Sequence, residues 1–222
     1  MATEAPVPRW VRAALWFGLV AVTAYVGGWL LAGWIRAGYD PRQQAISELF
    51  ELTAPWPSRG LLVGGLLLSG LAFLVLAPAL HRALPGGGRL GPALVFVAGL
   101  GTLGVVAAPC SPGCPGATTT AFDWWHTVAA GTGYTALVLA PLAFAWRLRR
   151  AEPRLAAWSV AIGGSAALLF GAYVAGLVTA APGLQQRVFN TLADAWYVVI
   201  AVWILRRDSA AGAPMHRGGR LA

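Results

Sequence analysis

The chain has 222 residues, 58% of them hydrophobic and only 11% charged, and its net charge of +8 is carried by arginine without a single lysine. A soluble domain carries about 25% charged residues, so this composition excludes one and identifies an integral membrane protein. The arginines lie in short loops between apolar runs, a pattern that sets topology and meets anionic lipid headgroups rather than nucleic acid.

Six apolar runs predict an all-α, polytopic bundle with a membrane domain over residues 13–207. The spans are expected at about 13–34, 60–80, 90–108, 124–146, 155–179 and 188–205. Continuous rather than alternating hydrophobicity argues against strands. Arg9 and Arg12 precede the first run as in a secretory signal, but that run is well past the usual signal-core length and reads as a retained helix. One set of loops holds twelve arginines and the other four, which places both termini in the cytoplasm. Residues 1–12 form the cytoplasmic N-terminus, and 208–222 read as a disordered cytoplasmic tail. The glycines of the third span (Gly99, Gly101, Gly104) and of the fifth (Gly163, Gly164, Gly171, Gly176) read as helix-packing positions.

Unusual chemistry gathers in the loops expected outside the cytoplasm. In the first, Asp40 precedes Pro41 and favours a turn. A short helix from Arg42 would put Ile46, Leu49, Phe50 and Thr53 on one face, with Ser47, Glu48 and Glu51 elsewhere. It either lids the bundle along the membrane surface or turns Ser47 and Glu48 inward to a polar site.

The second outer loop contains both cysteines, Cys110 and Cys114, around a Pro-Gly turn. A disulfide is favoured in that compartment and would contribute about 2 kcal/mol. A zinc site is the rival, but the ligands fall short of the usual four, so no metal and no cofactor is assigned. Asp123 suits a helix N-cap at the start of the fourth span, and it stands i, i+3 from His126. Such a pair is either an ordinary capping contact or an acid–base couple. The third outer turn leads through Gln186 into Arg187, Asn190 and Asp194, on one face of the last span. Asp194 lies on the order of 10 Å deeper than Arg187 and needs a partner within the bundle: Arg187 through Asn190, His126, Ser69 or Ser165. The set is either a polar clamp between helices or one wall of a site.

Four pieces, in order, carry a family resemblance. They are Tyr39-Asp40-Pro41 leading into Ile46-Ser47-Glu48-Leu49, a long helix pair with a short basic loop, the Pro-Cys loop followed by Asp123 and His126, and Gly183-Leu184-Gln185-Gln186-Arg187. On these the chain resembles the bacterial and archaeal six-span membrane family catalogued as domain of unknown function 998. The resemblance implies the six-span fold and a bacterial plasma membrane, and it implies no activity. Serine, aspartate and histidine are also similar to those of membrane ceramidase-like hydrolases, which need several histidines for zinc. Here only His126 is suitably placed, since His81 is expected in the cytoplasm and His216 in the tail.

Three functions follow from the outer cluster. The first is a binding site for a lipid or isoprenoid headgroup, or for a partner helix or second copy, built from Asp40, Ser47, Glu48, Asp123, His126, Gln186, Arg187, Asn190 and Asp194. The second is an enzyme on a lipid-type substrate, with Glu48, Asp123 and His126 as acid and base and Arg187 on an anionic group. The third is a small-solute or proton-coupled carrier through Asp194, weakened by the lack of polar residues in the cytoplasmic half. Membrane lipids are the expected partners.

Overall fold

The computed structural model describes residues 6–117 and 119–211. They form six long helices: α1 Arg9–Ile35, α2 Trp56–Ala83, α3 Leu90–Ala107, α4 Ala121–Leu148, α5 Pro153–Val174 and α6 Pro182–Ala211. One 3₁₀ helix, Ile46–Phe50, lies between α1 and α2. All six long helices have the length and apolar composition of membrane spans, and no strand occurs among the described residues. The chain is a multi-pass membrane protein.

Prolines open several helices where a missing N–H costs nothing: Pro57 in the first turn of α2, Pro153 in α5 and Pro182 in α6. Most helices start a few residues earlier than the hydrophobic pattern, α1 at Arg9 and α2 at Trp56, and the bounds of the last two differ more. The fifth span stops at Val174 rather than Thr179, because Gly176 turns the chain with φ +63°. The sixth begins at Pro182 rather than Val188, because its polar first turn is buried against the 36–55 loop instead of ending in water. It also continues through the first residues of the expected tail to Ala211; the rest of that tail, and residues 1–5, lie outside the described residues.

Neighbours in sequence pack as neighbours in space, and α6 closes the ring onto α1 and touches α4. Two glycines let α3 and α4 meet backbone to backbone: a Cβ on Gly101 would lie 2.5 Å from the Cα of Gly133. Of the glycines expected to pack in the fifth span, Gly163 meets Pro141, while Gly164 and Gly171 face open space. Trp34, Trp56, Trp124 and Trp125 stand exposed at the end carrying the disulfide loop, and Trp10, Trp146 and Trp158 at the other. Two such belts mark the two membrane–water interfaces.

The core is dense toward the termini end. Phe144 and Trp196 stack at 5.2 Å, Phe73 and Tyr197 at 4.7 Å, with Ile200 and Leu148 buried beside them. Trp196 donates its indole N–H to Ser159 Oγ at 2.8 Å, a single satisfied polar contact within that layer. In the termini-end loops, Arg147 donates to the carbonyls of His81, Pro85 and Gly88, tying the α2–α3 connection to α4.

Candidate functional site

The site is built where α6 starts. Gly183 sits so close to Gln44 that any Cβ would collide with its backbone, which brings α6 against the loop before the 3₁₀ helix. One turn on, Arg187 is buried. Its Nη1 donates to the carbonyls of Pro41, Gln44 and Gly183, each at 2.8 Å, and its Nη2 to the Tyr39 hydroxyl. Tyr39 in turn donates to the Ala45 carbonyl at 2.8 Å. Burial pushes the Tyr39 phenol up to about 12, against the pull of the Arg187 charge, so it remains a donor at neutral pH. Arg187 thus fastens loop to helix. Only its Nε lacks a hydrogen-bond partner.

Glu48 turns back on its own helix. One carboxylate oxygen accepts the Ala45 N–H and the other the Gln44 amide, both at 2.8 Å, which caps the 3₁₀ segment. Ile46, Leu49 and Phe50 are buried beneath it, whereas Thr53, expected on the same face, lies past the end of the 3₁₀ helix and is exposed; Ser47 faces the interior cavities. Glu51, set aside by the sequence pattern, is buried. It pairs with Arg36 at 2.7 Å and accepts the Gly113 N–H at 2.6 Å, joining the first outer loop to the cysteine loop. Cys110 and Cys114 form a disulfide there. Asp40 is exposed, and its carboxylate accepts the Arg42 N–H at 2.9 Å in a local turn.

At α4 the N-cap is Thr120 rather than Asp123. Thr120 Oγ accepts the Asp123 N–H at 3.1 Å, and Asp123 stands three residues on, the reciprocal position of a capping box. The Asp123 carboxylate accepts the Ser111 N–H and the hydroxyls of Ser111, Thr119 and Thr120 at 2.6–2.8 Å. It anchors the cysteine loop and is saturated by those bonds. His126 does not turn to Asp123; its Nδ1 pairs with the Ala108 carbonyl at 2.8 Å. A carbonyl only accepts, so Nδ1 holds the proton and Nε2 is left as an acceptor.

Inside these supports lies a chamber of about 70 Å³ enclosed by α1–α4, α6 and the 3₁₀ helix. Its polar wall comprises Tyr25, Ser69, His126, Gln186, Asn190 and Asp194. The Asn190 amide reaches Asp194 at 3.1 Å and the Tyr25 hydroxyl at 3.3 Å. Gln186 accepts the Ile46 N–H at 2.7 Å, tying α6 to the lid. The opposite wall is apolar, with Leu66, Phe73, Val105 and Leu137. A second space of about 240 Å³ lies toward α5, bounded by Phe170, Tyr173, Val174, the disulfide and Asp123. The two spaces share Ser47, His126, Ala130, Tyr134 and Gln186 as a common wall, so the outer one, a vestibule on the α5 side, adjoins the inner.

The structure therefore divides the residues singled out from the sequence. Ser47, His126, Gln186, Asn190 and Asp194 meet at the chamber, and Asp123 lines the vestibule alone. Asp40, Glu48 and Arg187 line neither space. Of the partners considered for Asp194, Asn190 bonds to it, Ser69 shares its chamber and Ser165 points outward. Tyr25 and Tyr134 escaped sequence reasoning; each is the one tyrosine of an apolar helix, with no charged residue near it in sequence to flag it.

No curated protein and no solved structure matches the chain. A family described as Protein of unknown function (DUF998) matches residues 5–203, nearly the whole membrane domain. The chain belongs to this family.

Proposed function

We propose that the protein binds, without chemistry, the polar end of a membrane-borne amphiphile, a lipid or isoprenoid headgroup. The observation that carries this reading is a polar chamber at membrane depth with the vestibule adjoining it. Asp194 lies on the order of 18 Å along α6 from Pro182, well into the hydrocarbon. A carboxylate at that depth is retained for a purpose. The vestibule beside α5 has an apolar rim, Phe170, Tyr173 and Val174, suited to an acyl or isoprenoid chain, and a polar inner wall suited to its head. In this reading the disulfide end faces away from the cytoplasm of a bacterial cell.

Two observations favour binding over the alternatives. Glu48 and Asp123, the acid–base partners expected for His126, spend their oxygens on backbone, amide and hydroxyl donors and make no bond to it. Beneath Asp194 the aromatic residues Phe144, Trp196 and Tyr197 pack against one another, and among the described residues the chamber's lining does not continue along α6 past Asp194 toward the termini end.

The test is native mass spectrometry of gently extracted protein, wild type against Ala130→Trp, which fills the shared wall. The wild type is expected to carry an amphiphile adduct that the variant lacks. Equal adducts in both, or none in the wild type, would overturn the reading.

A further inference from the structure

We propose that the group received by the chamber is a protonated primary amine. This rests on the binding reading above and names its ligand chemistry. The polar wall of the chamber is rich in acceptors. Asp194 offers a carboxylate that meets only the Asn190 amide, at 3.1 Å. His126 offers Nε2, because its Nδ1 proton is committed to Ala108. The hydroxyls of Tyr25 and Ser69 can accept as well. An ammonium brings three donors and no acceptor, the complement of that set.

Charge points the same way. Among the described residues, no arginine lines the chamber or the vestibule. The two guanidiniums nearest in the fold are committed elsewhere: Arg187 to the carbonyls of Pro41, Gln44 and Gly183 and to Tyr39, and Arg36 to Glu51. Asp194 is thus a buried carboxylate without a cation. The groups facing it are the amide of Asn190 and the phenols of Tyr25, Tyr134 and Tyr197. Phosphate or carboxylate headgroups would find no cation lining the chamber to offset their charge, whereas an ammonium pairs with the acid of Asp194.

Size and shape narrow the class further. A space of about 70 Å³ holds only a few heavy atoms. Its other wall, Leu66, Phe73, Val105 and Leu137, offers carbon contacts, and the Thr102 hydroxyl beside them is committed to the Ala98 carbonyl at 2.9 Å. A bare metal cation wants oxygens on all sides. A nitrogen attached to methylene groups fits both walls, nitrogen toward Asp194 and carbons toward the leucines.

The amine can arrive on a membrane-borne amphiphile or as a small soluble molecule, and one experiment separates these and tests the inference. Purified full-length protein in amine-free nanodiscs would be titrated with dodecylamine, dodecanol, dodecyl phosphate and butylamine. Dodecylamine is expected to bind about tenfold or more tighter than the alcohol or the phosphate, and Asp194→Asn to erase that preference. The wild-type ranking needs no variant, so misfolding of Asp194→Asn cannot rescue the idea. Dodecanol or dodecyl phosphate matching the amine would overturn the amine and leave binding intact. No binding by any twelve-carbon probe would overturn the binding reading itself. Butylamine is expected to bind more weakly; equal binding would retain the amine and overturn its membrane origin.

Discussion

Glu51 and Arg36 pair at 2.7 Å across the mouth of the bundle, and the second Glu51 oxygen holds the Gly113 N–H at 2.6 Å. One side chain therefore joins the end of α1, the turn before α2 and the cysteine loop, the last of which lines the vestibule. Both partners are largely buried, so removing one strands the other. Glu51→Ala is expected to cost about 3–5 kcal/mol, the range for breaking a buried pair. Thermal unfolding in detergent would read this as a large drop in midpoint. Arg36→Ala should cost less, since Glu51 keeps the Gly113 contact. Equal midpoints for wild type and Glu51→Ala would refute the role.

Arg187 serves as a clamp with several teeth, not as a counter-ion for ligand. Three carbonyls and a phenol occupy its fork. Lysine keeps the charge but cannot reach four acceptors from one ammonium. Arg187→Lys is therefore expected to destabilise by about 1–3 kcal/mol, nearly as much as Arg187→Met. If the lysine variant melts with the wild type, charge alone would be what matters there.

Tyr39 gives the same clamp a pH dependence. Its folded value of about 12 lies above the ordinary 10.0, so folding favours the protonated phenol. Its contribution is complete below pH 10 and is lost as pH rises toward 12. Alkaline unfolding of Tyr39→Phe is expected to show a shallower loss of stability between pH 10 and 12 than the wild type. The difference between the two chains is the readout, because the deeper tyrosines are common to both. Parallel profiles would mean that Tyr39 does not gate this loss.

The close approach of α3 and α4 offers a matched pair of substitutions. Gly101 faces Gly133 at a distance that excludes a methyl group, whereas Gly131, on the same helix as Gly133, faces open space. Gly101→Ala is expected to destabilise by about 1–3 kcal/mol through overpacking. Gly131→Ala should leave stability unchanged or raise it by up to about 1 kcal/mol through helix propensity. The midpoints measured side by side decide it; a harmless Gly101→Ala would mean that the helices slide apart without cost.

Hydrophobic length made the helices legible, because a bilayer demands about 20 apolar residues and the chain has six such runs. The inward face of α6 was legible too, since Asn190 and Asp194 repeat at helical spacing and hydrocarbon forbids the outward choice. Other groups were hidden for a common reason. Whether Glu48 or Ser47 faces the cavity depends on a 3₁₀ turn, whose three-residue period differs from the α-helical one. The partners of Glu51 and Arg147 come from loops distant in sequence, and no local spacing encodes such a meeting. Arg187 drew attention as a charge, yet its role is set by carbonyls, which every sequence carries and none displays.

Orientation is the last expectation that the binding reading needs. Loops on the termini side hold twelve arginines against four on the disulfide side, an asymmetry that retains the richer side in the cytoplasm. Ala117 and Ala151 are exposed on opposite ends of α4, so each accepts a cysteine with little disturbance. In a chain with Cys110→Ala and Cys114→Ala, a membrane-impermeant maleimide applied to intact cells is expected to label Ala117→Cys and spare Ala151→Cys until the cells are broken. The reverse pattern would turn the vestibule toward the cytosol. The ligand would then have to come from the inner leaflet, and the native disulfide would sit in a reducing compartment where such bonds are rare.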